Sequence, residues 1–521
     1  MLAALFATAL MPPQDAWPQT RAERTAYRET SHYDDVIAFL EALDKKGAPI
    51  RITYMGVSTE GRKMPLVVAA RPMVSSPEEA HRAGKAVVYV QANIHAGEVE
   101  GKEAAQMLLR RVSQDPHGLL DHLVLVVDPI YNADGNEKFA PGSRNRPGQN
   151  GPDEVGVRTN GQGFDLNRDC MKAESPEMRG VLEHVYAKWN PDAMMDLHTT
   201  NGTRHGYGLT YSPPLNPNTD PEILAYSRDQ LLPDVRKELR DQYKLETFDY
   251  GNTARRDSGQ AWLTFGEEPR YVTNYAGVRG RIGVLSEAFS YLPFEERVIA
   301  TDRFVAAVLG RLARDAAKVI AMAKAADARA VAWGSHPETA PQLGVRFEMD
   351  QRGTEAVLLE KPAEQGAPRR TGKPTEFVEA SMPIFDRFKT SKAAPLPAAY
   401  LLPASEKEVA ALLRRHGIDV RELSKPWKGE ADRFHIAQRN QDASPFQGHR
   451  LIRLEGTFER KTVEFPAGSF LVPTNTPLAV LTFHLLEPES LDGAAAWGFF
   501  ADMLSEGTEY PVAKLWKRPG A

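Results

Sequence analysis

Cysteine is nearly absent from this 521-residue chain, where Cys170 stands alone. One thiol excludes an internal disulfide and any zinc site built from cysteines. A zinc ion would have to be held by His, Asp and Glu. A surplus of positive charge is lacking too: 64 Lys and Arg face 69 Asp and Glu, a net −5. No basic field therefore marks the whole protein as a nucleic-acid binder. No apolar run reaches the ~20 residues that a membrane span requires. Internal repeats are missing, as is any low-complexity tract beyond one Ala-rich helical stretch. What is present is 42% hydrophobic residues, enough for a real core, which excludes wholesale disorder. The length points to two or three domains.

Residues 1–20 read as a signal-like or disordered tail. MLAALFATALM resembles the apolar part of a secretory signal, with Ala-Thr-Ala as a cleavage neighbourhood, but the first basic residue is Arg21. A periplasmic or secreted protein is expected, with a cytoplasmic one as the alternative.

Four short apolar runs read as buried strands: 86–93, 123–128, 193–197 and 282–286. Helical patterns alternate with them. One covers 103–112, one opens at Ser175-Pro176-Glu177 and runs to Trp189, and a long Ala-rich one covers 294–326. This alternation predicts an α/β fold, a sheet with helices on both faces, over residues 21–328. Residues 363–375 read as a loop rich in Pro, Gly and charge. Residues 345–521 are expected to form a separate, smaller C-terminal α/β domain. It would hold a strand at 399–402, a helix capped by Ser405 with Glu408 and ending near Gly417, and later strands in KTVEF and GSFLVP.

Ligands of open α/β sheets bind beyond the carboxyl ends of the strands. His95 and Glu98 follow the first expected strand, Asn132, Asp134 and Gly135 the second, His198 the third and Glu287 the fourth. The spacing His-x-x-acid alone proves little, because it also occurs at His32/Asp35, His416/Asp419 and His484/Glu487. Those three read as solvated, helix-end or core pairs, with His416 partly charged against a helix C-terminus. Only His95/Glu98 sits at a strand-to-loop switch with a second strand-end histidine to join it. Two His and one carboxylate leave a fourth position open to water, the shell of a catalytic rather than a structural zinc. In GFDLNRD, Arg168 is a natural fork for a carboxylate beside Asn167. Asp165 suits the second ring N–H of a zinc-bound histidine. Arg158 could stabilise an oxyanion, although taken alone an arginine there is more often an ordinary surface residue.

Over roughly residues 25–320 these motifs together resemble the zinc carboxypeptidase (funnelin) family, bacterial type with an extra C-terminal domain. The resemblance rests on GVSTEGRKMPL, HAGE, YNADGNE, DLNRD, DLHTTNG and GVLSEAFSY, in that order. It implies a mixed central sheet and one Zn2+ per chain on His95, Glu98 and His198. It implies Glu287 as general base and acid and Arg158 polarising the scissile carbonyl. Asn167 and Arg168 would take the terminal carboxylate of a peptide with a free C-terminus, and Asp165 would orient His95. Tyr275 is the expected substrate-capping tyrosine, with Tyr250 and Tyr271 competing. The alternatives are a zinc amidase or endopeptidase for cell-wall peptides, an N-acyl amino acid deacylase, and a catalytically dead peptide-binding module.

Other residues carry bland expectations. Arg279, Arg281 and the Arg144-Asn145-Arg146 segment read as surface charge. Cys170 reads as a packed free thiol and Asp257-Ser258-Gly259 as a turn. His205 is a cleft-lining candidate without a ligand role. The aromatic residues Trp427, Phe434, Trp497, Phe499 and Phe500 are expected in a core rather than on a binding platform.

Overall fold

The computed structural model describes residues 16–200, 202–256, 259–361 and 372–518. The expected signal-like run lies almost wholly outside them, as do Asp257 and Ser258. Among the described residues no helix is long and apolar enough to cross a membrane.

Eight strands form the central sheet: β1 (Ile50–Val57), β2 (Lys63–Ala69), β3 (Ala86–Ala92), β4 (Leu123–Asp128), β5 (Ala193–Thr200), β6 (Leu209–Ser212), β7 (Thr247–Asp249) and β8 (Ile282–Phe289). Their order is β1-β2-β4-β3-β5-β8-β6-β7. The inner strands β4, β3, β5 and β8 run parallel. β1, β2 and β6 join antiparallel, so the sheet is mixed.

The inner strands are apolar throughout because both faces are covered. In β3, Val87 and Tyr89 enter one core cluster while Val88 and Val90 enter the other. The second of these clusters packs helices Tyr33–Lys45, Glu100–Gln114 and Phe294–Arg314. The first packs residues 176–189, helix Val272–Val278 and much of the C-terminal part. Gly101 fixes the approach of one helix: a Cβ there would lie 2.7 Å from the Leu197 Cβ, so a side chain would push the helix off the strand that carries His198.

The C-terminal part is strand-rich, with a six-stranded sheet and helices Lys407–Arg415 and Ala479–Leu486. It is less separate than the sequence suggests. The expected boundary at 345 falls inside strand Gln342–Asp350. Strands Asn252–Arg256 and Gly259–Leu263 share a four-stranded sheet with Phe377–Phe385 and Gly353–Glu360. One core cluster runs from Met55 to Val512 across both parts. The Ser405/Glu408 capping box does not form. The helix begins at Lys407, and the Ser405 hydroxyl donates to Glu406 instead. Trp497, Phe434 and Phe500 are core residues.

Candidate active site

β5 and β8 run further than their apolar cores imply, to Thr200 and Phe289, so His198 and Glu287 are strand residues. They stand opposite each other in register between parallel neighbours, and such partners project from the same face of a sheet. His95 and Glu98 lie in the loop after β3, the strand on the other side of β5. Asn132 ties that loop down, its Nδ2 donating to the Ile94 and Arg158 carbonyls at 3.2 Å each. The carboxyl ends of three adjacent strands thereby deliver His95, Glu98, His198 and Glu287 to one cavity of about 220 Å3.

The three ligand-type residues are buried and converge. His95 Nδ1 lies 3.1 Å from Glu98 Oε1, His198 Nδ1 lies 3.0 Å from Glu98 Oε2, and the two Nδ1 atoms are 3.2 Å apart. The opposite ring nitrogens face carboxylates, His95 Nε2 at 2.9 Å from Asp165 and His198 Nε2 at 2.7 Å from Asp196. Each imidazole therefore donates from Nε2 and turns a lone pair on Nδ1 inward. Two imidazole lone pairs and a carboxylate, itself steadied by the Thr199 N–H at 3.0 Å, converge on one point, and such a set of acceptors suits a cation. Tetrahedral zinc ligands at about 2.1 Å from the metal stand about 3.4 Å from one another, close to the spacings seen. The donor set fits zinc.

Arg146 is the residue that sequence reasoning missed. It is not a solvated loop residue: Nη1 lies 2.9 Å from Glu98 Oε1 and Nη2 reaches the Thr199 carbonyl. Nothing local marks it, since it arrives from the loop between β4 and β5. Burial alone would raise Glu98, but Arg146 first and then His95 and His198 outweigh it and hold the carboxyl well below the ordinary range. Asp196 was likewise hidden in the sequence, read only as the end of an apolar strand.

Asp165 joins two functions. Besides His95 it pairs with Arg158, whose Nη2 is 2.9 Å away, while Arg158 Nη1 stands 3.5 Å from Glu98. Burial works against the Arg158 charge, and Asp165 and Glu98 restore it. Asn167 accepts the Val272 N–H at 3.0 Å through Oδ1, which turns its Nδ2 to the cavity it lines. Arg168 donates from Nη1 to the Asn167 carbonyl at 2.7 Å and lies over the Tyr271 ring, its guanidinium carbon 4.4 Å from the centroid. Glu287 is half-buried at the cavity wall, and desolvation of its carboxyl first, with Glu98 second among the raising causes, pushes it up to about 8 against His198, Arg146 and Arg158.

Tyr275 is a correction. It sits in the middle of helix Val272–Val278, 1% exposed, with its hydroxyl 2.6 Å from His416 Nδ1 and held by Arg279. Its ring faces the core rather than the cavity. Tyr271, at the N-cap of the same helix, and Tyr250 line the cavity instead. Arg279 and Arg281 are 5% and 4% exposed and not surface charges. His416 is no helix-end cation, because burial pushes it down to about 3. His205 is buried and stacked on Phe289, away from the cavity walls. Cys170 is buried, and burial raises its thiol well above the ordinary value.

Residues 36–264 match the family model described as zinc carboxypeptidase, Peptidase M14. The chain carries a zinc carboxypeptidase domain and is a metallopeptidase. Carboxypeptidase 2 of Trichophyton rubrum is 24% identical over 488 residues, 88% of this chain and 81% of the relative. Carboxypeptidase 2 of Trichophyton equinum is 24% identical over 489 residues, with the same two coverages. Among solved structures, the metallo-carboxypeptidase from Burkholderia cenocepacia is similar at 18% identity, over 55% of this chain and 70% of that one, with a TM-score of 0.42. The family match includes His95, Glu98, Arg158, Asn167, Arg168 and His198 of this metallopeptidase and stops short of Glu287.

Proposed function

We propose that this metallopeptidase is a zinc carboxypeptidase that removes single residues from the free C-termini of peptides. The observation that carries this reading is the shared cavity. Asn167 Nδ2 and the Arg168 guanidinium face the same small space as the His95/Glu98/His198 set and Glu287. Two adjacent donors, one a planar cation, match a carboxylate, and a chain end is the carboxylate that every peptide offers.

His95, Glu98 and His198 would hold the zinc, which supplies a Lewis acid that acidifies water and polarises a carbonyl. Asp165 and Asp196 keep both imidazoles in the tautomer that offers Nδ1. Glu287, raised by burial, takes the water proton at its carboxylate and returns it to the leaving amine. Arg158, aligned by Asp165, donates to the oxygen on which negative charge develops. Asn167 and Arg168 fix the terminal carboxylate, and Tyr271, stacked on Arg168, is the capping tyrosine in place of Tyr275. This machinery admits a chain end and not a chain interior.

A mixed peptide pool with free and amidated C-termini, followed by mass spectrometry, tests the reading. Stepwise loss of single C-terminal residues, only from free ends and stopped by a zinc chelator, is the expected result. Internal cuts in zinc-loaded protein would overturn it in favour of an endopeptidase or amidase. Absence of any cleavage there would leave N-acyl substrates or pure peptide binding.

Gln447, in the turn between strands Trp427–Gln441 and Ile452–Phe465, accepts the Asp165 backbone N–H through Oε1 at 2.8 Å. Asp165 holds both His95 and Arg158, so the C-terminal hairpin braces the site from outside. Losing such an acceptor costs about 1–3 kcal/mol. Gln447→Ala is expected to lower kcat/KM about tenfold, with the loss mainly in kcat and the Tm within a few degrees of wild type. An unchanged kcat in steady-state assays would count against this bracing role.

A further inference from the structure

At the far end of helix Val272–Val278 lies a second cavity, of about 830 Å3, that shares no lining residue with the first. Thr273 belongs to the catalytic cavity and Arg279 to this one. At ~1.5 Å per residue, six positions of helix separate them by about 9 Å. The second cavity sits at the seam between the two parts of the chain. Its walls include Lys188 and Lys324 on one side and His416 and Leu478 of the C-terminal part on the other.

The charges of this cavity do not balance. Its lining cations are Arg82, Lys188, Arg279, Arg281 and Lys324, with His81 alongside, and its acids are Glu78, Asp327 and Asp419. Most acids are already engaged: Asp327 pairs with Arg281 at 2.8 Å and Asp419 with Arg421 at 2.7 Å, while His81 pairs with Asp192 at 2.9 Å. Among the described residues Arg82, Lys188, Arg279 and Lys324 have no carboxylate within ion-pair distance, and only Glu78 is left to oppose them.

Arg279 decides the matter. Its Nη1 donates to the Tyr275 hydroxyl and the His416 carbonyl, both at 3.1 Å. Its guanidinium lies over the Tyr186 ring, 4.4 Å from the centroid. These neutral contacts orient the fork but leave its charge uncompensated, which is costly for a buried cation. A buried, aromatic-backed arginine at the floor of a cavity, with three exposed cations at the mouth, is how proteins receive a multiply charged anion.

We propose that this seam cavity binds a small multivalent anion, phosphate- or polycarboxylate-bearing, with Arg279 at its floor and Arg82, Lys188 and Lys324 at its mouth. The site is separate from the substrate clamp, and the proposal does not depend on which substrate the enzyme cleaves.

Calorimetric titration with inorganic phosphate, and in parallel with malonate, at constant ionic strength tests it in the full chain. Arg168→Ala first removes the catalytic clamp as a competing anion site. In that background, saturable binding of at least one probe is expected to persist, and the tighter probe names the chemistry. Adding Lys188→Ala and Lys324→Ala, both exposed and without a hydrogen-bond or ion-pair partner among the described residues, is expected to weaken binding about tenfold or more without lowering the Tm. Loss of all anion binding in Arg168→Ala alone, or binding indifferent to the two lysines, would overturn the proposal.

Discussion

Glu287→Gln is expected to lose about three orders of magnitude in kcat while retaining a full complement of zinc. The side chain keeps its shape, and Glu287 is not part of the His95/Glu98/His198 set, so metal content should match wild type by elemental analysis. What disappears is the carboxylate that accepts and returns a proton. General acid–base groups contribute about 10²–10⁴ in rate, and here one residue serves in both steps. KM should change little, because neither Asn167 nor Arg168 is disturbed. Folding should not suffer, since burial disfavours the Glu287 charge and a neutral amide avoids that penalty. A variant with near wild-type kcat would remove Glu287 from the mechanism. One that loses zinc would show that the residue helps hold the metal.

Much of the site was legible because each piece is local and sits at a place the fold makes special. His95 and Glu98 follow an apolar run that could only be a buried strand, and His198 and Glu287 close two others. The alternation of Val87/Tyr89 and Val88/Val90 between two cores explains why the strands read as unbroken apolar runs rather than as period-two patterns. What stayed hidden was tertiary. Arg146 reaches Glu98 from a loop whose sequence reads as solvated charge. Asp196 completes the His198 pair from inside a strand, two residues away on the same face. Gln447 arrives 282 positions after the backbone it braces. Tyr275 failed for a sharper reason. Tyr271 and Tyr275 lie one helical turn apart, so the sequence offers two equivalent tyrosines, and only the packing of Val272–Val278 against Tyr186 and His416 decides which one enters the core. The same blindness made Arg279 and Arg281 look like surface charge. Local sequence shows where a charge is, not what covers it.

Arg168→Ala carries the other large effect, and its value lies in what happens to the substrate preference. For wild type, a peptide with a free C-terminus should exceed its amide in kcat/KM by about 10²–10³, since a lost bidentate charge pair within a small cavity costs about 3–4 kcal/mol. If Arg168 is the group that reads the terminal carboxylate, the variant should be poor on both substrates, and the difference between them should collapse to within about tenfold. Asn167 Nδ2 remains and accounts for the residue of preference. The comparison forms a cycle between one side chain and one substrate charge, so indirect damage cancels: a variant weakened by a displaced Tyr271 or a loosened helix would lose rate on both substrates and keep their ratio. Arg158 offers the contrast. Arg158→Ala should slow both substrates by a similar factor and leave the ratio intact, because its partner is the oxygen that gains charge during reaction and both peptides form it. A collapse of the ratio in Arg158→Ala rather than in Arg168→Ala would exchange the two roles. Preservation of the ratio in both variants would place carboxylate recognition on Arg146, the remaining cation of the cavity wall.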